Sequence, residues 1–114
     1  MATLYTRTFN LKDSLNDKEV LKCWKFLMEK FGSALRKVKG VQSVKFYSGA
    51  GALRGDLTLL IEMDNAGIYE RILFDSKVLK LLGQFYGAID LKTSGQSFRR
   101  EVTADLTRAL SSTG

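Results

Sequence analysis

Few side chains in this chain have the type and spacing to do chemistry. Arg7, Lys45, Tyr47 and Glu62 lie in runs that read as strands. If Arg7 points to the same sheet face as the other three, they form a cluster of two cations, a phenol and a carboxylate. Charges sealed in an interface must find partners, so such a cluster is either a self-satisfied ion-pair network or a site for a small polar molecule. Glu62 is the candidate general base. Burial beside Leu60 would favour its neutral form and move its titration toward neutrality, whereas pairing with Arg7 or Lys45 would do the opposite.

Two further candidates lie outside the strands. Trp24 falls on the apolar stripe of a helix, where its ring stacks on an aromatic ligand or simply joins the core. Arg54 sits in Ser48 to Asp56, SGAGALRGD, three glycines around one arginine. A phosphate loop of the Walker kind runs from strand into helix and closes with Gly-Lys-Ser/Thr. This stretch runs into a strand and closes with Gly-Asp, so its glycines serve a hairpin by supplying positive φ. Arg54 is then either solvated or free to close over a ligand at the end of the sheet. The ligand-binding candidates are thus Arg7, Trp24, Lys45, Tyr47, Arg54 and Glu62.

Some chemistry is excluded outright. The chain has no histidine, which removes Ser-His and Cys-His triads, histidine-ligated zinc and histidine-ligated haem. No metal and no cofactor is expected. Cys23, the single cysteine, rules out an intrachain disulfide, suits a reducing compartment and reads as a small buried hydrophobe. The first residues lack a basic start and an apolar run, and no stretch approaches the ~20 apolar residues of a membrane helix. A cytoplasmic protein is expected.

Periodicity supplies the elements. Leu4 to Leu11 reads as a strand rich in Thr, Tyr and Phe. Either Ser14 with Asp17 or Asn16 with Glu19 caps a helix start. Val20, Trp24, Leu27, Phe31, Leu35 and Val38 then recur at steps of three and four, an amphipathic helix of about six turns. Gly40 follows where a left-handed stop is needed. Val41 to Tyr47 and Asp56 to Met63 switch to a period of two, the mark of two more strands. A second helical region starts near Asn65, breaks at Phe74-Asp-Ser76 with a fresh N-cap, and ends near Gly87. Ile89 to Thr93 and Gln96 to Val102 read as strand material, and Ser111 to Gly114 as a frayed end.

The order is β-α-β-β-α-β, the split βαβ arrangement. It implies one α+β domain over residues 1–114, a four-stranded antiparallel sheet with both helices on one face. The other face would expose Leu60, Tyr47 and, from the first strand, either Tyr5 and Phe9 or Leu4. A two-fold pairing of two such sheets covers that patch with one self-complementary surface.

In its pattern of elements the chain resembles the dimeric α/β-barrel superfamily, which includes the antibiotic-biosynthesis-monooxygenase-like and stress-responsive barrel families. The resemblance rests on Gly40-Val-Gln-Ser-Val44 after the long helix, Gly55-Asp-Leu-Thr-Leu-Leu-Ile-Glu62 after the hairpin, and Tyr69 to Val78 across the broken helix. It implies two ferredoxin-like protomers closing a barrel, small-molecule pockets lined by sheet and helices, and functions from cofactor-independent oxygenation to effector binding. Several members rely on a histidine that this chain lacks, and no catalytic residue carries over.

Length and charge bound the alternatives. At 114 residues about 65% of the unfolded surface can be buried, enough for a core without staples. Eighteen Lys and Arg against twelve Asp and Glu give +6, a balance that favours anionic partners. Tyr5, Tyr47 and Phe98 beside Lys45, Arg99 and Arg100 would suit single-stranded nucleic acid through stacking and phosphate contact, although the ribonucleoprotein consensus is absent. The leading expectation is a dimeric binder of a small aromatic or anionic molecule, with a nucleic-acid module second and a structural or regulatory protein third.

Overall fold

A computed structural model describes residues 2–49, 53–100 and 108. In chain order they form strand β1 (Thr3–Phe9), helix α1 (Asp17–Phe26), a π-helical turn (Leu27–Phe31), helix α2 (Gly32–Arg36), strands β2 (Val41–Ser48) and β3 (Leu57–Met63), helices α3 (Ile68–Phe74) and α4 (Ser76–Ala88), and strand β4 (Gly95–Arg100). The four strands make one antiparallel sheet in the order β2-β3-β1-β4. This is the ferredoxin-like α+β fold expected from the alternation.

Register sorts the side chains. Phe9 lies opposite Leu57, Arg7 opposite Leu59, Tyr5 opposite Ile61 and Thr3 opposite Met63. Since successive residues of a strand point to opposite faces, these eight share the face turned to the helices, and all but Arg7 are buried. Leu4, Thr6 and Thr8 share the open face with Thr58, Leu60 and Glu62. Of the two possibilities for the first strand, Leu4 is therefore outward and Tyr5 and Phe9 are inward.

The helices close over that face. Asn16 caps α1: its Oδ1 accepts from the Glu19 N–H at 2.8 Å and Glu19 Oε1 accepts from the Asn16 N–H at 3.0 Å, the second of the two expected capping boxes. Phe31 and Phe85 stack at 5.0 Å, and Phe9 meets Phe85 edge-on at 5.3 Å, so three rings tie the long helical region, α4 and the sheet together. The expected continuous first helix is interrupted by the π-helical turn. There the Gly32 N–H reaches back to the Leu27 carbonyl, and a Cβ on Gly32 would lie 2.9 Å from that oxygen, so glycine permits the wider turn. The helical run ends at Arg36 with Lys37 as its C-cap, earlier than the expected stop at Gly40; Gly40, with φ of +99°, instead turns the chain into β2.

Three local expectations are corrected. Among the described residues of the β2–β3 connection the positive φ falls on Asp56, at 55°, and not on Gly49 or Gly55. Aspartate tolerates this conformation, and Asn10 Oδ1 holds it by accepting from the Asp56 N–H at 2.7 Å. Gly49 is needed because a Cβ would collide with the Asp56 side chain. Ile89 to Thr93 is not a strand: Ile89 makes one bridge to Leu11, then Asp90 Oδ1 accepts from the Lys92 N–H at 3.0 Å and turns the chain. The last strand starts at Gly95, one residue before the expected Gln96, and is described as far as Arg100; its expected end at Val102 and the expected frayed end lie outside the described residues.

Candidate functional site

Arg7 is carried inside by its neighbours. Tyr5 and Phe9 are apolar enough to demand burial, and period two puts Arg7 on their face. The guanidinium then needs partners in place of water. Its Nε donates to Tyr5 Oη at 2.9 Å, Nη1 to Ser94 Oγ at 2.9 Å and Nη2 to Gln96 Oε1 at 3.0 Å. Tyr5 Oη in turn donates to Gln96 Oε1 at 3.0 Å, which closes a ring of hydrogen bonds. The Arg7 carbon sits 5.4 Å from the centre of the Tyr86 ring, a cation–π contact.

Aromatic rings wall this cluster. Tyr5 stacks on Tyr69 at 4.8 Å, and Phe98 leans on both, at 5.3 Å from Tyr5 and 5.0 Å from Tyr69. Burial pushes the Tyr5 hydroxyl up to about 12, although the Arg7 hydrogen bond and charge pull the other way. Burial also works against the Arg7 charge, but the hydrogen bond to Tyr5 and the charges of the neighbouring phenols, once ionised, outweigh it and raise its pKa. The chemistry of the pair is thus a permanent cation beside a phenol that stays protonated at neutral pH.

The cluster opens on a small, partly open space between sheet and helices, whose apolar wall includes Leu35, Leu59 and Ile61. The cavity volume is about 30 Å³, room for one water. Tyr69, Leu73, Leu82 and Tyr86, which line the same space, are only half-buried. They flank the α3–α4 break, where Asp75 caps α4 by accepting from the Val78 N–H at 3.0 Å.

The other sequence candidates are not gathered here. Register sets Lys45 opposite Leu60, Tyr47 opposite Thr58 and Ser43 opposite Glu62, so Lys45, Tyr47 and Glu62 share the open face. Arg7 is on the other side of the sheet, because Tyr5 and Phe9 take it there, and the proposed four-residue cluster does not form. Trp24 meets Phe46 edge-on at 5.9 Å and donates from Nε1 to the Leu53 carbonyl at 2.8 Å. Arg54 is also engaged: it donates to the Leu15 carbonyl and pairs with Asp17 Oδ1, both at 2.7 Å. These two side chains pin the β2–β3 connection to α1. Cys23 is half-buried, and burial pushes its thiol up, away from reactivity. The aromatic and basic residues considered for nucleic acid are split by the sheet. Tyr5, Phe98 and Arg100 have the helix-side parity, whereas Tyr47, Lys45 and Arg99 have the open one.

Sequence reasoning missed Tyr69, Tyr86, Ser94 and Gln96 as members of the site. A usable signal was present in Tyr5-Thr-Arg7-Thr-Phe9, where two aromatic residues two apart from an arginine oblige it to share their side. Among the described residues no group of three or more Cys, Asp or Glu side chains is placed to hold a metal, and no helix is long and apolar enough to cross a membrane.

A split βαβ sheet with a polar and aromatic chamber beneath its helices defines a class: the fold is the ferredoxin-like one. No protein-family model matches the chain, and no curated protein matches it in sequence. Solved structures do match. A dimeric protein of unknown function and ferredoxin-like fold from Bacteroides fragilis superposes with a TM-score of 0.72 at 12% identity, over 88% of this chain and 96% of that one. SnoaB, a cofactor-independent oxygenase from Streptomyces nogalater, gives 0.69 at 8% identity, over 90% and 95%. A dabb family protein with a ferredoxin-like fold from Mesorhizobium loti gives 0.67 at 12% identity, over 90% and 98%. At such identities the likeness is one of fold.

Proposed function

We propose that the chain works as a homodimer, paired through the open sheet faces, in which each protomer's chamber binds one small organic molecule with an anionic group on an aromatic body. The observation that carries this reading is Arg7, a cation held between an apolar wall and aromatic rings. Of its five N–H donors, three are used by Tyr5, Ser94 and Gln96, which leaves two for an acceptor on a guest. A carboxylate or phenolate would take those donors, while Tyr69 and Tyr86 offer ring faces to its apolar body. The description of the Bacteroides fragilis protein as dimeric supports the pairing.

A chemical step is the finer form of the proposal. SnoaB is described as a cofactor-independent oxygenase, and Arg7 is the group that would stabilise negative charge developing on a bound substrate. Glu62, on the opposite face, would take no part in it.

Native mass spectrometry of freshly purified protein, followed by calorimetric titration with benzoate, tests the reading. A dimer that binds benzoate, keeps binding it in Glu62→Ala and loses it in Arg7→Met is the expected result. A monomer would overturn the pairing, and benzoate binding that survives Arg7→Met would overturn the chamber.

A further inference from the structure

A second feature lies on the outer, helical side of the molecule. α4 packs against the π-helical turn and α2, and between them runs a groove of about 280 Å³. Lys30 and Lys37 rim it on one side, Lys77 and Lys80 on the other, while Ala34 and Leu81 make its floor. Glu29 is the one carboxylate along it. No carboxylate lies within ion-pair distance of any of the four lysines among the described residues. Four like charges around one groove repel one another, so an anionic occupant is favoured there.

The detailed chemistry narrows that occupant. Every cation on the rim is a lysine, a hydrated point charge, rather than an arginine fork matched to phosphate. The arginine nearby, Arg36, is turned away and donates to the Val44 carbonyl at 2.9 Å. No aromatic ring lines the groove, so bases would have nothing to stack on. The apolar floor would go unused under a phosphodiester backbone, yet it suits an aliphatic side chain.

We propose that this groove docks an acidic amphipathic helix of another protein, with carboxylates on Lys30, Lys37, Lys77 and Lys80 and an apolar ridge on Ala34 and Leu81. Grooves between helices take such segments through apolar anchors at helical spacing, and the lysines would steer the encounter and set orientation.

The test is fluorescence anisotropy at about 0.15 M ionic strength, where the Debye length is about 8 Å, with three labelled probes: a peptide with glutamates flanking a leucine stripe at helical spacing, an isomer of the same composition in shuffled order, and oligothymidylate. The amphipathic peptide is expected to bind tightest. The double variant K77E/K80E should weaken it about tenfold or more, since like charges across an interface cost several kcal/mol. The charge-matched K12E/K92E, at exposed positions outside the groove, should weaken it less than about twofold, because exposed charges beyond a Debye length are screened. Thermal melts of both variants check that they are folded. Equal binding of the shuffled isomer, equal weakening by K12E/K92E, tighter binding of oligothymidylate, or no binding of the amphipathic peptide would each overturn the proposal.

Discussion

On β3, Leu57, Leu59, Ile61 and Met63 are buried under the helices, while Thr58, Leu60 and Glu62, one step along the same backbone, face the other way and are half-buried. The two faces of the sheet also treat charge differently. On the helix side Arg7 is half-buried, and its hydrogen bonds go to Tyr5, Ser94 and Gln96. On the open side Lys45 and Glu62 form no ion pair with another described residue. A charge under the helices thus comes with a built set of partners, and a charge on the open face relies on solvent or on a second sheet. The difference separates what holds the protomer together from what is left for assembly.

The largest expected effect sharpens that separation on adjacent residues. Ile61, 2% exposed, loses both its transfer free energy and its packing when truncated, so Ile61→Ala should lower the free energy of unfolding by about 2–5 kcal/mol in urea titration. Leu60→Arg, one residue away, should leave the protomer's urea midpoint nearly unchanged when measured at a concentration where the protein is monomeric. In the homodimer proposed above, sedimentation should instead show a shift toward monomer, because the new cation would meet its own copy across the two-fold. A large drop in protomer stability with no change in assembly would place Leu60 in the core and remove the contrast.

A smaller effect concerns the charge under the helices. Arg7→Met keeps an unbranched apolar stem but removes three donated hydrogen bonds. Tyr5 Oη, which is buried, loses a partner, whereas the exposed Gln96 Oε1 regains one from water, which predicts a loss of about 1–3 kcal/mol in the same urea experiment. Arg7→Lys should recover only part of it, since one ammonium cannot reproduce the planar fork. Full recovery by lysine would mean that charge alone, rather than the geometry of the three bonds, is what the enclosed face requires.

Much of this architecture is legible in the sequence, because strand and helix periods are strong and their punctuation is local. Asn16 with Glu19, Gly40 and the break at Asp75 all act within a few residues of themselves. The site was harder to read for a physical reason. Arg7 by itself favours water, and only the demand of Tyr5 and Phe9 on the same strand face, together with the register against β3, decides which way it points. Its other partners come from Ser94 and Gln96, 87 and 89 residues away, a separation that no local pattern spans. Ile89 to Thr93 failed differently: residues with strand propensity were overruled by the Asp90 side chain, which bonds the backbone two residues on.

The smallest effect is read from pH. The Tyr5 hydroxyl, with an ordinary pKa of 10.0, is pushed up to about 12 in the folded chain, so between those values the folded state holds a proton that the unfolded state has lost. Stability from this source is complete below pH 10, falls as pH rises, and is gone above about 12. Tyr5→Phe removes the titrating group along with one hydrogen bond to Gln96 and one from Arg7. At neutral pH it should cost about 0.5–1.5 kcal/mol, while flattening the alkaline decline. Phenolate absorbance provides the direct check: the step near pH 12 should vanish in Tyr5→Phe and stay in Tyr47→Phe, whose ring stands on the open face. If the late step survives Tyr5→Phe, the protected phenol is not the one bonded to Arg7, and the enclosed face does not hold its cation in the way its hydrogen bonds imply.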